Sequence, residues 1–265
     1  MNSYTVLIRT YNSETTLPAT LEALGRQTNP PSQYVFVDSG STDRTLACIP
    51  EGSVVHKYAG KEFNYSAALN QGLGFVSTEF VLIISSHTKL GLDTAAAYGL
   101  SLLSLNPATG GVCFCPENTG QLRHQFIDKN SFDGFNGLFN TCSLVRTVLL
   151  KERGFRPEVF TAEDQEWSKW FFETKNGTIA RISSAGVIYD NPRGIPLKKR
   201  LNEYVAVAYF VNRELLTWMH IKRVAYSAVK LGTQRRWSDR LFYFLLVFRL
   251  TACRYFKPVS KSKYF

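Results

Sequence analysis

The sequence predicts an α/β protein built on an open, mostly parallel sheet with helices on both faces. Three short segments, at 5–10, 34–38 and 80–85, are rich in β-branched residues and almost continuously apolar. Such segments are typical of strands that a parallel sheet buries on both faces. Helix-like stretches lie between them, and strands that alternate with helices indicate βαβ units.

The linking elements follow in order along the chain. A helix is predicted over 14–27, where leucines repeat at helical spacing. A short edge strand over 54–58 and a helix over 64–76 precede the third long strand.

The pattern is less regular after this point. Gly, Asn and Phe crowd residues 110–140, which predicts irregular strands and loops with a lid. A helix is predicted to begin near Thr161, and a further strand spans 178–190. Beyond it, apolar residues at a spacing of three to four predict an amphipathic helix over 201–215.

Charge divides the chain into two parts. Its 265 residues are 45% hydrophobic and 20% charged, close to globular averages, which excludes wholesale disorder. Residues 193–265 contain 16 Lys and Arg against 3 Asp and Glu, a net of +13, and residues 1–192 contain 15 against 18, a net of −3. We therefore predict an α/β body over 1–192 and a basic, amphipathic helical region over 193–265.

The basic region interleaves Lys and Arg with aromatic and aliphatic residues, as do helices that lie in a membrane interface. Packing on the body, or pairing in a homodimer, would explain the same pattern, and both alternatives stay open. Nucleic-acid binding is disfavoured because no helix-turn-helix or RNA-binding signature is visible. The longest apolar run, 241–248, is far shorter than the roughly 18–20 residues that a spanning helix needs.

The five cysteines indicate a reducing compartment. Their number is odd, and Cys113 and Cys115 are too close together for a disulfide framework. No cleavable leader is visible at the start of the sequence. The prediction is a cytoplasmic protein that associates peripherally with the cytoplasmic face of a membrane.

Polar residues follow three of the predicted strands, which is where open α/β sheets bind ligands. Together they predict a nucleotide pocket, in which Asp38 can accept the N–H of a uracil or thymine ring. A local alternative stays open, in which Ser41 or Thr42 caps the next helix and Asp43 favours its N-terminus. The polar strand ends are residues 9–14 at the first strand, 37–45 at the second and 85–88 at the third.

Several motifs, taken together, resemble family 2 glycosyltransferases with a GT-A fold. The matching segments are RTYN at 9–12, VDSGSTDRT at 37–45, FNYSAALNQG at 63–72, and the stretches 79–88, 137–146 and 154–167. The resemblance implies inverting transfer of a sugar from a nucleoside-diphosphate donor. By matched position, it implies that Thr10, Asn12, Glu14, Asp38, Asn70, Ser85 and Ser86 bind the nucleotide sugar, that Asp164 is the catalytic base, and that Glu163 and Trp167 lie on the acceptor side.

The residue type at position 164 suits this chemistry. An acceptor hydroxyl loses its proton as it attacks, and a carboxylate within hydrogen-bond reach can take that proton. A structural alternative stays open, because Thr161-Ala162-Glu163-Asp164 also fits a capping box at a helix start.

The metal site departs from the family pattern. The usual Asp-x-Asp motif is replaced by Ser85-Ser86-His87, which is similar to a rhamnosyltransferase-like bacterial branch with Ser-x-His. The resemblance implies Mn²⁺ or Mg²⁺, with His87 and Asp190 as candidate ligands. Each has a structural alternative, His87 as a hydrogen-bonded strand end and Asp190 as the start of the turn at Asn191-Pro192.

A second departure concerns the cation beside the diphosphate. Leu69 stands where many relatives of this family carry an Arg. The sequence leaves Arg9, Lys57, Lys61 and the cluster at 193–200 as replacements.

The combined prediction is an inverting glycosyltransferase that moves one sugar from a UDP- or dTDP-sugar to a cell-surface glycan acceptor, lipid-linked at the inner membrane. Its predicted partners are the donor, the acceptor and the membrane surface, with a homodimer as an alternative and without nucleic acid. Two rivals remain, an inactive relative that serves as a partner or binding subunit, and a nucleic-acid-binding protein that uses the basic region.

Overall fold

An eight-stranded mixed sheet forms the centre of the protein. The computed structural model describes residues 3–116, 122–183, 188–189, 196–230 and 237–258. The sheet consists of β1 Tyr4–Thr10, β2 Gln33–Asp38, β3 Val54–Lys57, β4 Phe80–Ser85, β6 Thr109–Phe114, β7 Arg123–Ile127, β8 Cys142–Arg146 and β9 Thr178–Ser183; β5 Thr88–Lys89 and β10 Ile188–Tyr189 form a separate antiparallel pair. The strand order is β3-β2-β1-β4-β8-β6-β9-β7, in which β7 and β8 run opposite to the others. The predicted α/β class with a mostly parallel sheet is confirmed.

Helices cover both faces of this sheet. They are α1 Leu17–Gly25, α2 Tyr65–Leu73, α3 Ala95–Leu105, α4 Thr147–Glu152 and α5 Glu163–Lys175. Three further helices follow in the C-terminal region, α6 Leu197–Ala206, α7 Trp218–Lys230 and α8 Trp237–Cys253. Alternate residues of each strand point to opposite faces, so Val6 and Ile8 pack with α1 and α3, whereas Leu7 packs with α2, α4 and α5. Open α/β sheets bind their ligands at the end of the sheet where the parallel strands finish.

The first predicted elements match the structure closely. The strands predicted over 5–10, 34–38 and 80–85 end within one residue of β1, β2 and β4. The edge strand predicted over 54–58 is β3, which lies at the sheet margin. Helix α1 is shorter than predicted because it begins at Leu17, where Pro18 occupies the first turn and needs no backbone donor.

Three later predictions need correction. Residues 109–114 are the fully buried strand β6, not an irregular segment; Gly110 is required there because a Cβ would lie 2.3 Å from the Phe171 ring. The strand predicted over 178–190 ends at Ser183, and residues 184–187 lie outside the described part of the chain. The helix predicted over 201–215 begins earlier, as α6, and after a π turn at Val207–Val211 it is interrupted at Asn212.

The C-terminal helices form a second apolar cluster. Leu201, Leu216, Ile221, Leu246 and Leu250 bury one another between α6, α7 and α8. A smaller cluster joins the turn after α6 to residues 159–162, just before α5. The basic helices therefore contact the body directly, while the boundary near residue 193 stays a prediction. Within the described ranges, the helices are too short or too polar to cross a membrane.

Candidate functional site

The predicted pocket residues meet at one end of the sheet. Strand β1 lies between β2 and β4, and the register aligns Thr10 with Asp38 and Arg9 with Ser85. The three polar strand ends are therefore neighbours, as the sequence predicts. Their roles in donor binding stay predictions, and the contacts below describe what each side chain does in the fold.

Asp38 organises the turn after β2. Its carboxylate is 4% exposed and accepts four hydrogen bonds. Oδ2 accepts the backbone N–H groups of Gly40 and Ser41, each at 2.9 Å, and Oδ1 accepts the hydroxyls of Ser41 at 2.6 Å and Thr10 at 3.1 Å. Gly40 has φ +91°, a conformation that favours glycine. Asp38 thus holds together the two loops that would face a nucleotide.

Asn12 and Glu14 join the same two loops. Asn12 has φ +46°, and its Oδ1 accepts the Thr42 N–H at 2.8 Å, while Glu14 Oε2 accepts the Arg44 N–H at 2.9 Å. Asp43, rather than Ser41 or Thr42, caps the short 3-10 helix that follows, because its side chain accepts the Thr45 N–H. The predicted caps at Ser41 and Thr42 are wrong, since the Ser41 hydroxyl donates to Asp38 instead.

The triplet after β4 is packed against the β1 loop. The Ser86 hydroxyl lies 2.8 Å from that of Ser13, and the Ser86 carbonyl accepts the Thr20 hydroxyl at 3.2 Å. Ser85 donates its backbone N–H to the Thr141 carbonyl at 3.0 Å. His87 follows, partly buried, just before β5. Asp190, the second predicted metal ligand, lies outside the described residues.

Asn70 has a clear structural contact. Its amide oxygen accepts the Phe155 N–H at 2.9 Å, and its amide nitrogen donates to the Phe155 carbonyl at 2.7 Å. Both ends of the side chain therefore hold the 153–157 loop on α2. The predicted contact between Asn70 and a nucleotide sugar would compete with these two hydrogen bonds.

Arg9 lies beside the predicted pocket, and one N–H donor group of its side chain is not used within the described residues. Its guanidinium stacks on the Tyr65 ring, 4.6 Å from the centroid. Its Nη1 is buried, and the described residues supply no hydrogen-bond partner for it. An unpaired buried donor of a charged group is costly, so an anionic ligand at this position gains a strong partner. Leu69 leaves the pocket without the Arg of the family pattern, and Arg9 is a described replacement that lies directly beside Ser85.

A cluster of acidic side chains surrounds Asp164. Its Oδ2 accepts the backbone N–H of Asn140 at 3.0 Å, and Oδ1 accepts that of Gln165 at 2.8 Å. Glu163 is 5% exposed and accepts the Asn140 amide at 3.2 Å. Burial, then the charge of Glu163 and, more weakly, that of Glu203 raise the pKa of Asp164 to about 8.

Helix α6 adds a third carboxylate to this cluster. Burial raises the pKa of Glu203, and the Glu163 charge acts in the same direction, against Lys199 and Arg200. Neither Asn140 nor Glu203 is a site residue that the sequence predicts, because each reaches Asp164 or Glu163 only through the tertiary fold. A raised carboxyl pKa in a pocket is a common mark of a group that exchanges protons.

The capping-box alternative for this segment is wrong. Helix α5 begins at Glu163, its N-cap position is Ala162, and no side chain makes a cap hydrogen bond there. Thr161 instead has φ +59°, which is strained for a β-branched residue. The strain is stored immediately before the acidic cluster.

Trp167 is placed in the core and not beside an acceptor. Its ring is fully buried, stacks on Phe171 at 5.5 Å, and donates its indole N–H to the Arg153 carbonyl. The predicted acceptor-side role of Trp167 is therefore corrected, because no ring surface remains for a ligand. Glu163 stays a candidate for that side.

Family and fold comparisons agree with this arrangement. Residues 5–91 match the family model for glycosyl transferase family 2. A curated relative, the O-antigen chain rhamnosyltransferase RfbN of Salmonella typhimurium, is 28% identical over 145 residues, which are 54% of this chain and 45% of the relative. The chain thus spans less than half the length of that relative.

Two solved structures share the fold. The mannosyltransferase PcManGT from Pyrobaculum calidifontis, in complex with GDP-Man and Mn²⁺, has a TM-score of 0.64 at 15% identity, over 98% of this chain and 76% of that one. TarS 1–349 of S. aureus, in complex with UDP, has a TM-score of 0.58 at 19% identity, over 88% and 76%. The family model over residues 5–91, the rhamnosyltransferase relative and the shared fold together support a family 2 glycosyltransferase.

Proposed function

We propose that this protein is an inverting glycosyltransferase that moves one sugar from a UDP- or dTDP-sugar to a cell-surface glycan acceptor. The observation that carries the proposal is the link between Asp164 and the strand ends. Asn140 donates to Asp164, and the next residue, Thr141, accepts the N–H of Ser85. A carboxylate with a raised pKa thereby lies close to the edge of the sheet where the donor would bind.

The proposed reaction transfers one proton to this carboxylate. The acceptor oxygen attacks the anomeric carbon from the side opposite the diphosphate and forms the new C–O bond. The bond between that carbon and the diphosphate oxygen breaks, and its electron pair leaves with the nucleoside diphosphate. Asp164 takes the proton of the acceptor hydroxyl, while Asn140 and Gln165 hold its two oxygens in place.

The leaving diphosphate needs positive charge. We propose that Arg9 supplies it, because the buried Nη1 of its guanidinium is an unused donor and Arg9 is aligned with Ser85 on the neighbouring strand. Stacking on Tyr65 keeps the group in a fixed orientation without neutralising it. This assignment gives the pocket a cation that the family pattern provides at position 69.

A divalent metal fits this site only in part. The described residues contain no group of three His, Cys, Asp or Glu side chains that could hold an ion. His87 can contact Mn²⁺ through its imidazole, with Asp190 as a candidate beyond the described residues. We therefore propose that Mn²⁺ or Mg²⁺ would be held mainly by the diphosphate oxygens of the donor, where it would neutralise charge on the leaving group.

The proposed acceptor rests on the curated relative, and the proposed location rests on the basic helices. That relative is named as an O-antigen chain rhamnosyltransferase. We propose accordingly a lipid-linked glycan acceptor at the cytoplasmic face of the inner membrane, and a rhamnosyltransferase-like activity for the Ser85-Ser86-His87 branch. The basic helices would bring the protein to that surface.

A thermal-shift screen of nucleotides and nucleotide sugars, with and without Mn²⁺, tests the proposal. Ligands that bind the native state raise its melting temperature. We expect UDP or dTDP to raise it more than GDP or ADP, and Mn²⁺ to add to the shift only when a diphosphate is present. If no nucleotide shifts the melting temperature, the proposed donor site is wrong. That result would favour the alternative that the protein is an inactive relative that serves as a partner or binding subunit.

A further inference from the structure

Helix α8 has two apolar faces, of which the fold buries one. Its inner face packs against α6 and α7 through Phe242, Leu246, Leu250 and Cys253. Its outer face, extended by the turn that follows the helix, exposes large apolar side chains. This outer face consists of Leu241, Phe244, Phe248, Tyr255 and Phe256, which are 49%, 56%, 60%, 68% and 73% exposed.

The outer face is a continuous stripe. Leu241, Phe244 and Phe248 recur at intervals of three and four along the helix, so they lie one above another on the same side. Tyr255 and Phe256 extend this side beyond the end of the helix. The rings of Phe244 and Phe248 touch edge to face at 4.9 Å. The N–H groups of Tyr255 and Phe256 bond to the Ala252 carbonyl, so a hydrogen-bonded turn holds these two residues at the end of the helix. The helical part of the stripe, from Leu241 to Phe248, spans roughly 10 Å at 1.5 Å per residue.

A cation–aromatic contact joins the C-terminal end of the stripe to α7. Arg254 stacks on the half-exposed Trp218 at 4.7 Å, which brings the start of α7 next to the end of α8. On α7, Lys222 and Arg223 are exposed between Met219 and Tyr226, which are also exposed. Helices α7 and α8 thus each expose apolar or aromatic side chains, and α7 exposes cations among them, the combination found on helices that lie in a membrane interface.

We propose that the outer face of α8 inserts into the interfacial layer of a membrane rich in anionic lipid. The charge of the region supports a lipid surface over a second copy of the chain. Residues 193–265 carry 16 Lys and Arg against 3 Asp and Glu, so two copies joined here would bring two net charges of +13 together. Anionic headgroups instead neutralise that charge while the rings enter the acyl boundary. The inference rests on the proposed function for its purpose, since it places the transferase where a lipid-linked acceptor lies.

Vesicle co-sedimentation of the full chain tests this proposal. We compare vesicles of phosphatidylcholine alone with vesicles that also contain phosphatidylglycerol, for the wild type, the Phe244→Ser/Phe248→Ser variant and the Lys222→Glu/Arg223→Glu variant. Leu105→Ser is the matched control, because Leu105 is a 77% exposed apolar side chain on α3. All replaced side chains are exposed, so the melting temperatures should match that of the wild type.

We expect strong binding of the wild type to the anionic vesicles and weak binding to the neutral ones. The double Phe variant should lose about tenfold or more in partitioning to anionic vesicles, and L105S should lose nothing. The charge variant should bind more weakly than the wild type, and its binding should depend less steeply on salt. Equal binding by the wild type and the double Phe variant would overturn the proposal, as would a dimer that dissociates on the Phe replacements.

Donor hydrolysis by the same variants separates this inference from the proposed function. If the variants hydrolyse a nucleotide sugar normally but do not bind vesicles, both proposals stand. If the wild type binds vesicles through the outer face of α8 but hydrolyses no nucleotide sugar, the proposal of membrane binding is supported. The proposal of glycosyltransferase activity then fails.

Discussion

Asp164 is tied to the end of β4 through Asn140. The Asn140 N–H donates to Asp164 Oδ2 at 3.0 Å, and the adjoining Thr141 carbonyl accepts the Ser85 N–H at 3.0 Å. The loop before β8 therefore connects the candidate base on α5 to the strand end where the donor would lie. Any shift of this loop would move the carboxylate relative to the sugar.

Replacing Asp164 tests its assignment as the base. Asp164→Asn keeps the size of the side chain but cannot take a proton, so we expect kcat to fall by about 10²–10⁴-fold. The affinity for the nucleoside diphosphate, measured by calorimetry, should stay within a few-fold of the wild type. Glu173→Gln, an exposed carboxylate on the same helix, is the control and should leave kcat unchanged. A D164N protein with normal turnover would remove Asp164 from the mechanism.

The pH dependence of the rate follows from the raised pKa of Asp164. A carboxyl group with a pKa of about 8 is protonated at lower pH and cannot accept the acceptor proton. We therefore expect kcat to rise with pH through about 8 and then level off. Glu203→Gln removes a negative charge that raises the pKa of Asp164, so the profile should move to lower pH. A pH profile of E203Q identical to that of the wild type would show that Glu203 is not coupled to the base.

Arg9 should distinguish a nucleoside diphosphate from a nucleoside. In Arg9→Met, the affinity for UDP should fall by about tenfold or more, because a charge-assisted contact is lost, while the affinity for uridine stays nearly constant. Arg9→Lys should recover part of the UDP affinity. Arg26→Met is the control, since Arg26 belongs to an exposed ion pair with Glu22. Equal losses for UDP and uridine would place Arg9 elsewhere than at the diphosphate.

Asn70 should matter for stability. Asn70→Ala removes both hydrogen bonds to the Phe155 backbone and leaves that N–H and carbonyl without their partner. We expect a loss of about 1–3 kcal/mol in the free energy of unfolding, measured by urea denaturation. If N70A unfolds like the wild type but loses nucleotide affinity, Asn70 contacts the donor, as the family resemblance implies.

The sequence predicts the first part of the fold well because its signals are local. Strands β1, β2 and β4 are continuous apolar runs, and their polar ends converge as expected. Strand β6 is not predicted as a regular strand because Gly110 and Gly111 look like loop residues, whereas Phe171 packs against Gly110 and leaves no room for a side chain there. That requirement is a tertiary contact between residues distant in sequence.

The candidate site, like the fold, is predictable from the sequence only where its residues stand in local motifs. Asp164 and the strand-end residues stand in recognisable motifs, but Asn140 and Glu203 enter the acidic cluster from other elements, with no motif to mark them. Trp167 is misassigned because a motif position does not tell whether the ring faces the core, and here it does.

Turnover of nucleotide sugars tests the central claim most directly. The wild type, incubated with a panel of nucleoside-diphosphate sugars and Mn²⁺, should release UDP or dTDP from at least one of them. Release should be lost in Asp164→Asn, although that variant still binds the product nucleotide. If the wild type consumes no member of the panel and no nucleotide raises its melting temperature, the chain is not the glycosyltransferase proposed here.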